Sequence, residues 1–202
     1  MLHGTFYAGA ALGLLFPAGN DLTNLYGAGY TTSLDFAEYQ GLHLGYQWPS
    51  GPAPEVGYET MERAAVVHGG PYGLSYSFMD RDVDGYVEPL YRLALSRRTG
   101  LLGGLKIGAA EAFLSDNNFS TRAFKGSALM LAPELRYQIL FGGRFGLEFG
   151  AEYRVANFST LSTLSASNGP VLNANGIGNW HLMDSGPALG IGLNVYFRRL
   201  VR

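Results

Sequence analysis

Three aspartates close together in the chain are the residues best suited to bind a metal ion. Asp80, Asp82 and Asp84 occupy alternate positions, and Gly85 follows them. If the segment forms a tight loop, the alternate side chains converge on one point and the glycine permits the turn. Three carboxylates at one point provide the hard oxygen ligands that Ca²⁺ prefers. The sequence therefore predicts a structural Ca²⁺ ion at these aspartates, the one cofactor that we expect.

Two features leave this prediction open. Glu88 stands where a calcium-binding loop of the EF-hand type often coordinates through water, but Tyr91 occupies the position of its final glutamate, so the full pattern is absent. The alternative is an acidic turn exposed to solvent, because Asp84-Gly85 is an ordinary hairpin signal.

The segment 180–185 contains a serine, a histidine and an aspartate, which are the residue types of a hydrolytic triad. Such a triad is assembled from distant parts of a chain, whereas His181, Asp184 and Ser185 lie too close in sequence to face one another easily. The other histidines are isolated, and the glycine-rich stretches alternate with apolar residues as strands do. We therefore predict no catalytic residues and no enzyme, with a lipid-modifying enzyme as an alternative.

The composition indicates a protein that faces lipid. Of its 202 residues, 15% are charged, whereas a typical soluble domain has about 25%. With 14 basic and 16 acidic residues, the chain lacks the basic surface that nucleic acids require. It has no cysteine for disulfides or metal thiolates. No apolar run reaches the length of about 18 residues that a transmembrane helix needs.

The hydrophobic pattern is that of β-strands, since apolar and polar residues alternate with a period of two. The pattern predicts eight strands, at about 6–14, 38–48, 55–67, 85–98, 101–114, 129–141, 145–155 and 188–197. Short turns alternate with long segments at 17–35, 68–84, 115–126 and 158–185, as in an up-and-down membrane barrel. Glu62 falls on the apolar face of its strand, so we expect a bulge or a shifted register between Thr60 and Ala64.

Charged residues on the alternate faces indicate which side of the barrel is inside. Counted upward from the short turns, they form two layers with equal numbers of acids and bases. The lower layer comprises Glu59, Arg92, Lys106, Glu134, Arg136 and Glu148, and the upper layer comprises Arg63, Glu88, Glu152 and Arg154. Because unpaired buried charge is costly, matched layers predict paired groups in a closed interior. An eight-stranded barrel is only wide enough for side chains to fill it.

Aromatic residues on the opposite, apolar faces predict two membrane interfaces. Those near the short turns are Tyr46, Trp48, Tyr58, Tyr137, Phe141, Phe145 and Phe197, and those near the long loops are Phe16, Phe113, Tyr153 and Phe158. The alternative is a soluble lipocalin-like barrel or β-sandwich, whose interior would be apolar and whose exterior would be charged.

Four segments carry a resemblance to a known family: FYAGAALGLLFPAG, GLHLGYQW, FGLEFGAEYRV and GPALGIGLNVYF. In pattern, over nearly the whole chain, the sequence resembles the small OmpA-like and OmpX-like outer-membrane β-barrels. The resemblance implies an all-β fold: an eight-stranded antiparallel up-and-down transmembrane β-barrel with long extracellular loops, formed by residues 1–202 as a single domain. The family's last strand ends in an aromatic residue, which Phe197 matches, although RRLVR follows it. A Thermus barrel of similar layout has a protruding surface sheet and a bound divalent cation.

This resemblance implies a place in the bacterial cell outer membrane and a structural or interaction role. The expected partners are outer-membrane lipid and other surface proteins or the surface layer, which the long loops would contact. We expect a monomer that binds no nucleic acid. A small channel is a further alternative, although balanced charge in the interior argues against an open pore.

Overall fold

The computed structural model describes residues 4–18, 30–69, 74–116, 123–158, 162–163 and 182–198. In these ranges the chain forms eleven strands: β1 Thr5–Leu15, β2 Tyr30–Leu34, β3 Ala37–Gln47, β4 Glu55–Gly69, β5 Leu74–Glu88, β6 Leu90–Ala94, β7 Thr99–Asp116, β8 Ala123–Phe141, β9 Phe145–Phe158, β10 Ser162–Thr163 and β11 Leu182–Tyr196. No helix in these ranges is long and apolar enough to cross a membrane. Predictions that concern residues 19–29 and 164–181 lie outside the described residues.

Eight of the strands close into an antiparallel barrel, as predicted. Around the barrel the order is β1, β3, β4, β5, β7, β8, β9 and β11, and β11 pairs again with β1. β6 continues β5 in the same register against β7, interrupted at Pro89, which has no N–H to donate. β2 pairs with β4, and β10 pairs with β8, so both extend the wall at the end opposite to the short turns, which we call the upper end.

The strands are strongly staggered. Following paired residues once around the barrel from Leu135 on β8, through Glu38 and Arg81, returns to Lys125 on the same strand, ten residues away. Such a stagger requires the strands to tilt against the barrel axis. Residues at equal distance from their turns therefore lie at different heights on neighbouring strands.

The aspartate segment lies in a strand, so the prediction of a long loop at 68–84 is wrong. β4 and β5 pair without interruption from Glu55 opposite Glu88 to Gly69 opposite Leu74. The segment 80–85 is therefore part of β5. On the outward face of this segment Arg81 and Gly85 interrupt the apolar residues, so the alternation that distinguishes a strand from a loop in the sequence is weak. The other loops are also shorter than predicted, since β7 continues to Asp116 and β8 begins at Ala123.

The expected bulge in β4 is absent. Pairing between β4 and β5 skips no residue, and Glu62 stands opposite Arg81. Both side chains face outward, are more than half exposed and form an ion pair at 3.2 Å. Glu62 interrupts the apolar face because it lies near the upper end, where the exterior becomes polar.

The wall is apolar outside and largely polar inside, which excludes a soluble barrel with an apolar interior. Leu42, Leu129 and Phe6 are each more than 60% exposed on the outward face. Among the predicted interface aromatics, Phe158 is fully buried, which corrects its assignment to the exterior. It faces inward at the end of β9, where the interior above the charged residues is apolar and contains Leu114.

Candidate functional site

Within the described residues, the inward face of the barrel carries most of the charged side chains. All ten residues that the sequence analysis assigned to the interior lie on this face, and most of them are fully buried. They reach it because successive residues of a strand point to opposite sides of the wall. Glycines at inward positions leave room for them; Gly104, for example, lies against Glu88 and Leu90.

The guanidinium of Arg136 contacts four carboxylates. Its Nη1 atom lies 2.9 Å from Glu55 Oε2 and 3.3 Å from Glu148 Oε2. Its Nη2 atom donates to Glu88, and its Nε and Nη2 atoms donate to the two oxygens of Glu134 at 2.7 and 2.9 Å. A planar guanidinium presents five N–H donors, which suits it to hold several carboxylates at once. Arg136 therefore connects β4, β5, β8 and β9 across the interior.

The ammonium of Lys106 forms a second centre. Its Nζ atom donates to Glu59 at 2.6 Å and to Glu152 at 2.7 Å, and it lies 3.5 Å from Glu134. It also lies 5.0 Å from the centre of the Tyr86 ring, a cation–π contact. Because Glu134 contacts both cations, the two centres form one unit. We call it the central network, and it comprises Glu55, Glu59, Glu88, Lys106, Glu134, Arg136, Glu148 and Glu152.

Neutral side chains donate further hydrogen bonds to the central network. The Tyr7 hydroxyl donates to Glu55 at 2.6 Å. The amides of Gln138 and Asn194 donate to Glu148 at 2.8 and 2.6 Å. These groups and Glu55 are not among the site residues predicted from the sequence. Their inward positions in the alternation could have identified them. However, a tyrosine or an amide at an inward position is also expected simply to fill space in the interior.

The two matched layers expected from the sequence are wrong. Glu88 and Glu152 belong to the central network rather than to a layer above it. Arg92 donates to the amide of Gln138 at 2.7 Å and has no carboxylate contact among the described residues. The central network therefore holds six carboxylates around two cations. The prediction failed because counting residues from the short turns ignores the stagger of the strands.

The three aspartates lie above the central network on the inward face of β5. All three are buried. Arg63 of β4 contacts Asp80 through Nε at 2.8 Å and Nη2 at 2.6 Å. Arg154 of β9 donates to both oxygens of Asp84 and lies 3.6 Å from Asp82. We call these five residues the aspartate cluster.

The aspartate cluster differs from a calcium-binding loop. Alternate residues of a strand are about 6.6 Å apart, since a strand rises about 3.3 Å per residue. The three carboxylates therefore follow β5 and do not converge on one point. Within the described ranges, no three His, Cys, Asp or Glu residues are grouped as a metal ion requires. The arginines supply the positive charge that the sequence analysis assigned to Ca²⁺, and calcium binding stays a prediction from the sequence.

A small cavity lies between the two centres of the central network. Its walls include Tyr39, His43, Lys106, Arg136 and Glu148, and its volume is about 20 Å³. A water molecule needs about 10–15 Å³ of such space, so this cavity has room for one. Polar walls suit a hydrogen-bonded water. At this height the described side chains therefore leave little free space in the interior.

The sequence matches no family model, and no curated protein is similar to it. Solved structures resemble the fold. The outer membrane protein OprG of Pseudomonas aeruginosa has a TM-score of 0.60 at 14% identity, covering 96% of this chain and 96% of that chain. The Neisserial surface protein A, NspA, has a TM-score of 0.57 at 12% identity, covering 96% and 99%.

The attachment invasion locus protein Ail of Yersinia pestis was solved in complex with the heparin analogue sucrose octasulfate. Its TM-score is 0.50 at 12% identity, covering 96% of this chain and 97% of that chain. At these identities, the likeness to all three proteins shows the fold alone.

Proposed function

We propose, on the premise that this chain has the fold of a small eight-stranded outer-membrane β-barrel, that it is a structural and interaction protein of the bacterial surface. In this role its upper strands contact other surface molecules, and its interior serves stability rather than transport or catalysis. The fold and the apolar exterior agree with the predicted location, the bacterial outer membrane. The proposal depends above all on strands that continue past the apolar part of the wall.

These continuing strands occupy one side of the barrel. β4 and β5 remain paired as far as Gly69 opposite Leu74, and β7 and β8 as far as Ser115 opposite Ala123. On the other side, β1 ends at Leu15. β2 lies beside the upper part of β4, and β10 lies beside the upper part of β8. We call the upper parts of β4, β5, β7 and β8, together with β2 and β10, the surface sheet.

The exterior of the wall changes character where the surface sheet begins. Two outward ion pairs lie there, Glu62 with Arg81 at 3.2 Å and Glu111 with Lys125 at 2.9 Å. Charged side chains on the outer face of a membrane barrel belong at or beyond the lipid headgroups, because they are costly in the hydrocarbon. The surface sheet therefore stands in the aqueous phase, where it is available to partners.

The edges of the surface sheet suit an extended partner segment. In the described residues, β2 pairs with β4 alone and β10 pairs with β8 alone, so each strand has a second edge. A strand edge presents backbone N–H and C=O groups that can pair with another chain. Partners that add a strand at such an edge are the kind we expect.

The alternatives have less support. The six carboxylates, two cations and one-water cavity of the central network oppose an open channel. For a lipid-modifying enzyme, Ser185 is buried and His181 lies outside the described residues. Stable, uniform conductance in planar bilayers would favour the channel instead of our proposal.

Site-specific photo-crosslinking in intact cells tests the proposal. A photoreactive residue at Thr32 in β2 should form adducts with other surface proteins. The matched control places the same residue at Leu131, which is exposed on the apolar face of β8, and it should react with lipid only. Protein adducts at neither position, or equally at both, would contradict an interaction role for the surface sheet.

A further inference from the structure

We propose that the short-turn end of the barrel binds an anionic glycerophospholipid, with an acyl chain in an external groove and the phosphate at exposed arginines. This inference goes beyond the proposed function, which concerns the opposite end of the molecule. Two independent features support it: the distribution of charge at this end and an apolar groove that begins beside it.

The charge at the short-turn end has one sign. Arg97, Arg98, Arg144 and Arg198 are exposed there, and we call them the rim arginines. The short turns at 48–54, 95–98 and 142–144, and residues 197–198, contain no aspartate or glutamate. The exterior of the upper end, by contrast, holds acidic and basic side chains together. The rim arginines therefore present positive charge without neighbouring carboxylates of their own turns.

The backbones of three rim arginines form hydrogen bonds with the barrel, while the side chains of all four are exposed. The carbonyl of Arg144 accepts a hydrogen bond from the N–H of Tyr196 at 2.8 Å, and the carbonyl of Arg98 accepts one from Leu140. The N–H of Arg198 donates to the Thr5 hydroxyl at 3.0 Å. Three of the rim arginines therefore extend from a hydrogen-bonded backbone at the edge of the barrel, where phosphate groups of a lipid leaflet would lie.

An apolar groove of about 570 Å³ begins at this edge on the lipid-facing side of the wall. It is lined by Phe6, Leu44, Tyr46, Val56 and Phe197, among others. Phe6 and Tyr46 meet edge to face, with ring centres 4.7 Å apart, and form one of its sides. Arg198 directly follows Phe197, so a positive charge stands beside the groove.

Charge complementarity identifies the occupant. In a bilayer the groove must be filled by hydrocarbon, and lipid acyl chains are the hydrocarbon available. Arginine binds phosphate through paired N–H donors. A zwitterionic lipid carries its own ammonium near the phosphate and gains less from additional cations, whereas an anionic lipid gains the full attraction. The site therefore favours an anionic glycerophospholipid over a zwitterionic one.

Quenching of Trp48 fluorescence by brominated lipids tests this preference. Trp48 meets Tyr46 of the groove edge to face, with ring centres 4.5 Å apart. The chain has two tryptophans, so a Trp180→Phe background leaves Trp48 as the single fluorophore. In vesicles of mixed composition, brominated phosphatidylglycerol should bind about fivefold more tightly than brominated phosphatidylcholine.

Substitutions distinguish the contribution of the arginine charges to lipid binding from that of the apolar groove. Arg144→Gln combined with Arg198→Gln should abolish the preference, while Arg81→Gln at the upper end should leave it unchanged. Val56→Phe, which narrows the groove, should weaken quenching by both lipids alike. Equal quenching by the two lipids, or a preference that survives the double substitution, would overturn the inference. If neither lipid quenches Trp48, the barrel is not in the bilayer and the proposed function fails as well, so the two failures are distinguishable.

Discussion

The central network and the aspartate cluster differ in how cations are paired with buried carboxylates. Both place carboxylates inside the barrel, where an unpaired charge is costly. In the central network a single guanidinium serves four carboxylates, and neutral donors such as Tyr7 complete the bonding. In the aspartate cluster, two arginines on different strands, Arg63 of β4 and Arg154 of β9, contact the three aspartates of β5. The first is a shared centre, whereas in the second the contacts are divided between two arginines.

This difference determines how each region responds to the loss of one cation. Removing Arg136 leaves four carboxylates without their common partner, and they come from β4, β5, β8 and β9. Removing Arg63 leaves Asp80 without the guanidinium that it contacts. We therefore expect the loss of Arg136 to weaken the whole central network, and the loss of Arg63 or Arg154 to weaken only part of the aspartate cluster.

The largest effect is expected for Arg136→Met. Breaking a buried ion pair costs about 3–5 kcal/mol, and here several pairs are lost, so we expect a loss at or above about 5 kcal/mol. Urea-dependent refolding into lipid vesicles measures it. Arg136→Lys keeps the charge without the planar fork and should recover only part of the loss, because an ammonium has three donors instead of five. Full recovery by lysine would show that charge alone matters and that the shared geometry does not.

A smaller effect is expected for the pairs of the aspartate cluster. Arg154→Met should cost about 3 kcal/mol, because Arg154 contacts Asp84 and Asp82. Adding Asp84→Asn should restore part of the stability, since the buried charge left behind is then removed. A double-mutant cycle on refolding in vesicles gives the coupling energy. If the second substitution adds a further, independent loss, the pair is not the unit of stability that we describe.

Thermal unfolding can distinguish Ca²⁺ binding by the aspartate cluster from charge pairing with arginines alone. If the arginines are sufficient, the midpoint of thermal unfolding should be equal in Ca²⁺ and in chelator, and Asp82→Asn should lower both midpoints alike. If the aspartates also bind Ca²⁺, the ion should raise the midpoint by mass action, and Asp82→Asn should remove that increase. The second result would establish the site predicted from the sequence and require the arginines to move.

The smallest effect is expected outside the barrel. Glu62 and Arg81 form an ion pair at 3.2 Å, but both are more than half exposed. Solvent screens such pairs, so Glu62→Gln should change stability by less than about 1 kcal/mol. The same refolding assay provides the value. If Glu62→Gln lowered the free energy of unfolding as much as Arg154→Met does, burial inside the barrel would not explain the contribution of these ion pairs to stability.

The alternation in the sequence was sufficient to predict the barrel and its polar interior. Residues such as Glu134 and Arg136 fall on one face of a strand whose other face is apolar, and this pattern requires no knowledge of neighbouring strands. The error in the charged layers has one physical source. Contacts between strands depend on stagger, which the sequence of a single strand does not contain, so Glu88 and Glu152 were assigned to the wrong layer.

The aspartates illustrate the second limit. Asp80, Asp82 and Asp84 resembled a metal-binding loop because the alternation of a polar-lined strand and the spacing of loop ligands are the same. Only the pairing of β5 with β4 distinguishes the two interpretations, since it brings Arg63 opposite Asp80. Phe158 was misplaced for a related reason, because the interior changes from charged to apolar at the upper end.

The pairing of β1 with β11 has a consequence for how the molecule assembles. This pairing, which we call the seam, places Tyr7 opposite Tyr196. It joins the first and last strands and thereby closes the barrel. Contacts between such distant parts of a chain carry a large entropic cost and form slowly. Until the seam forms, both strands are open edges that could pair with another chain. The barrel therefore cannot close before β11 has been synthesised, and a chain cut short before β11 would be expected to aggregate rather than fold.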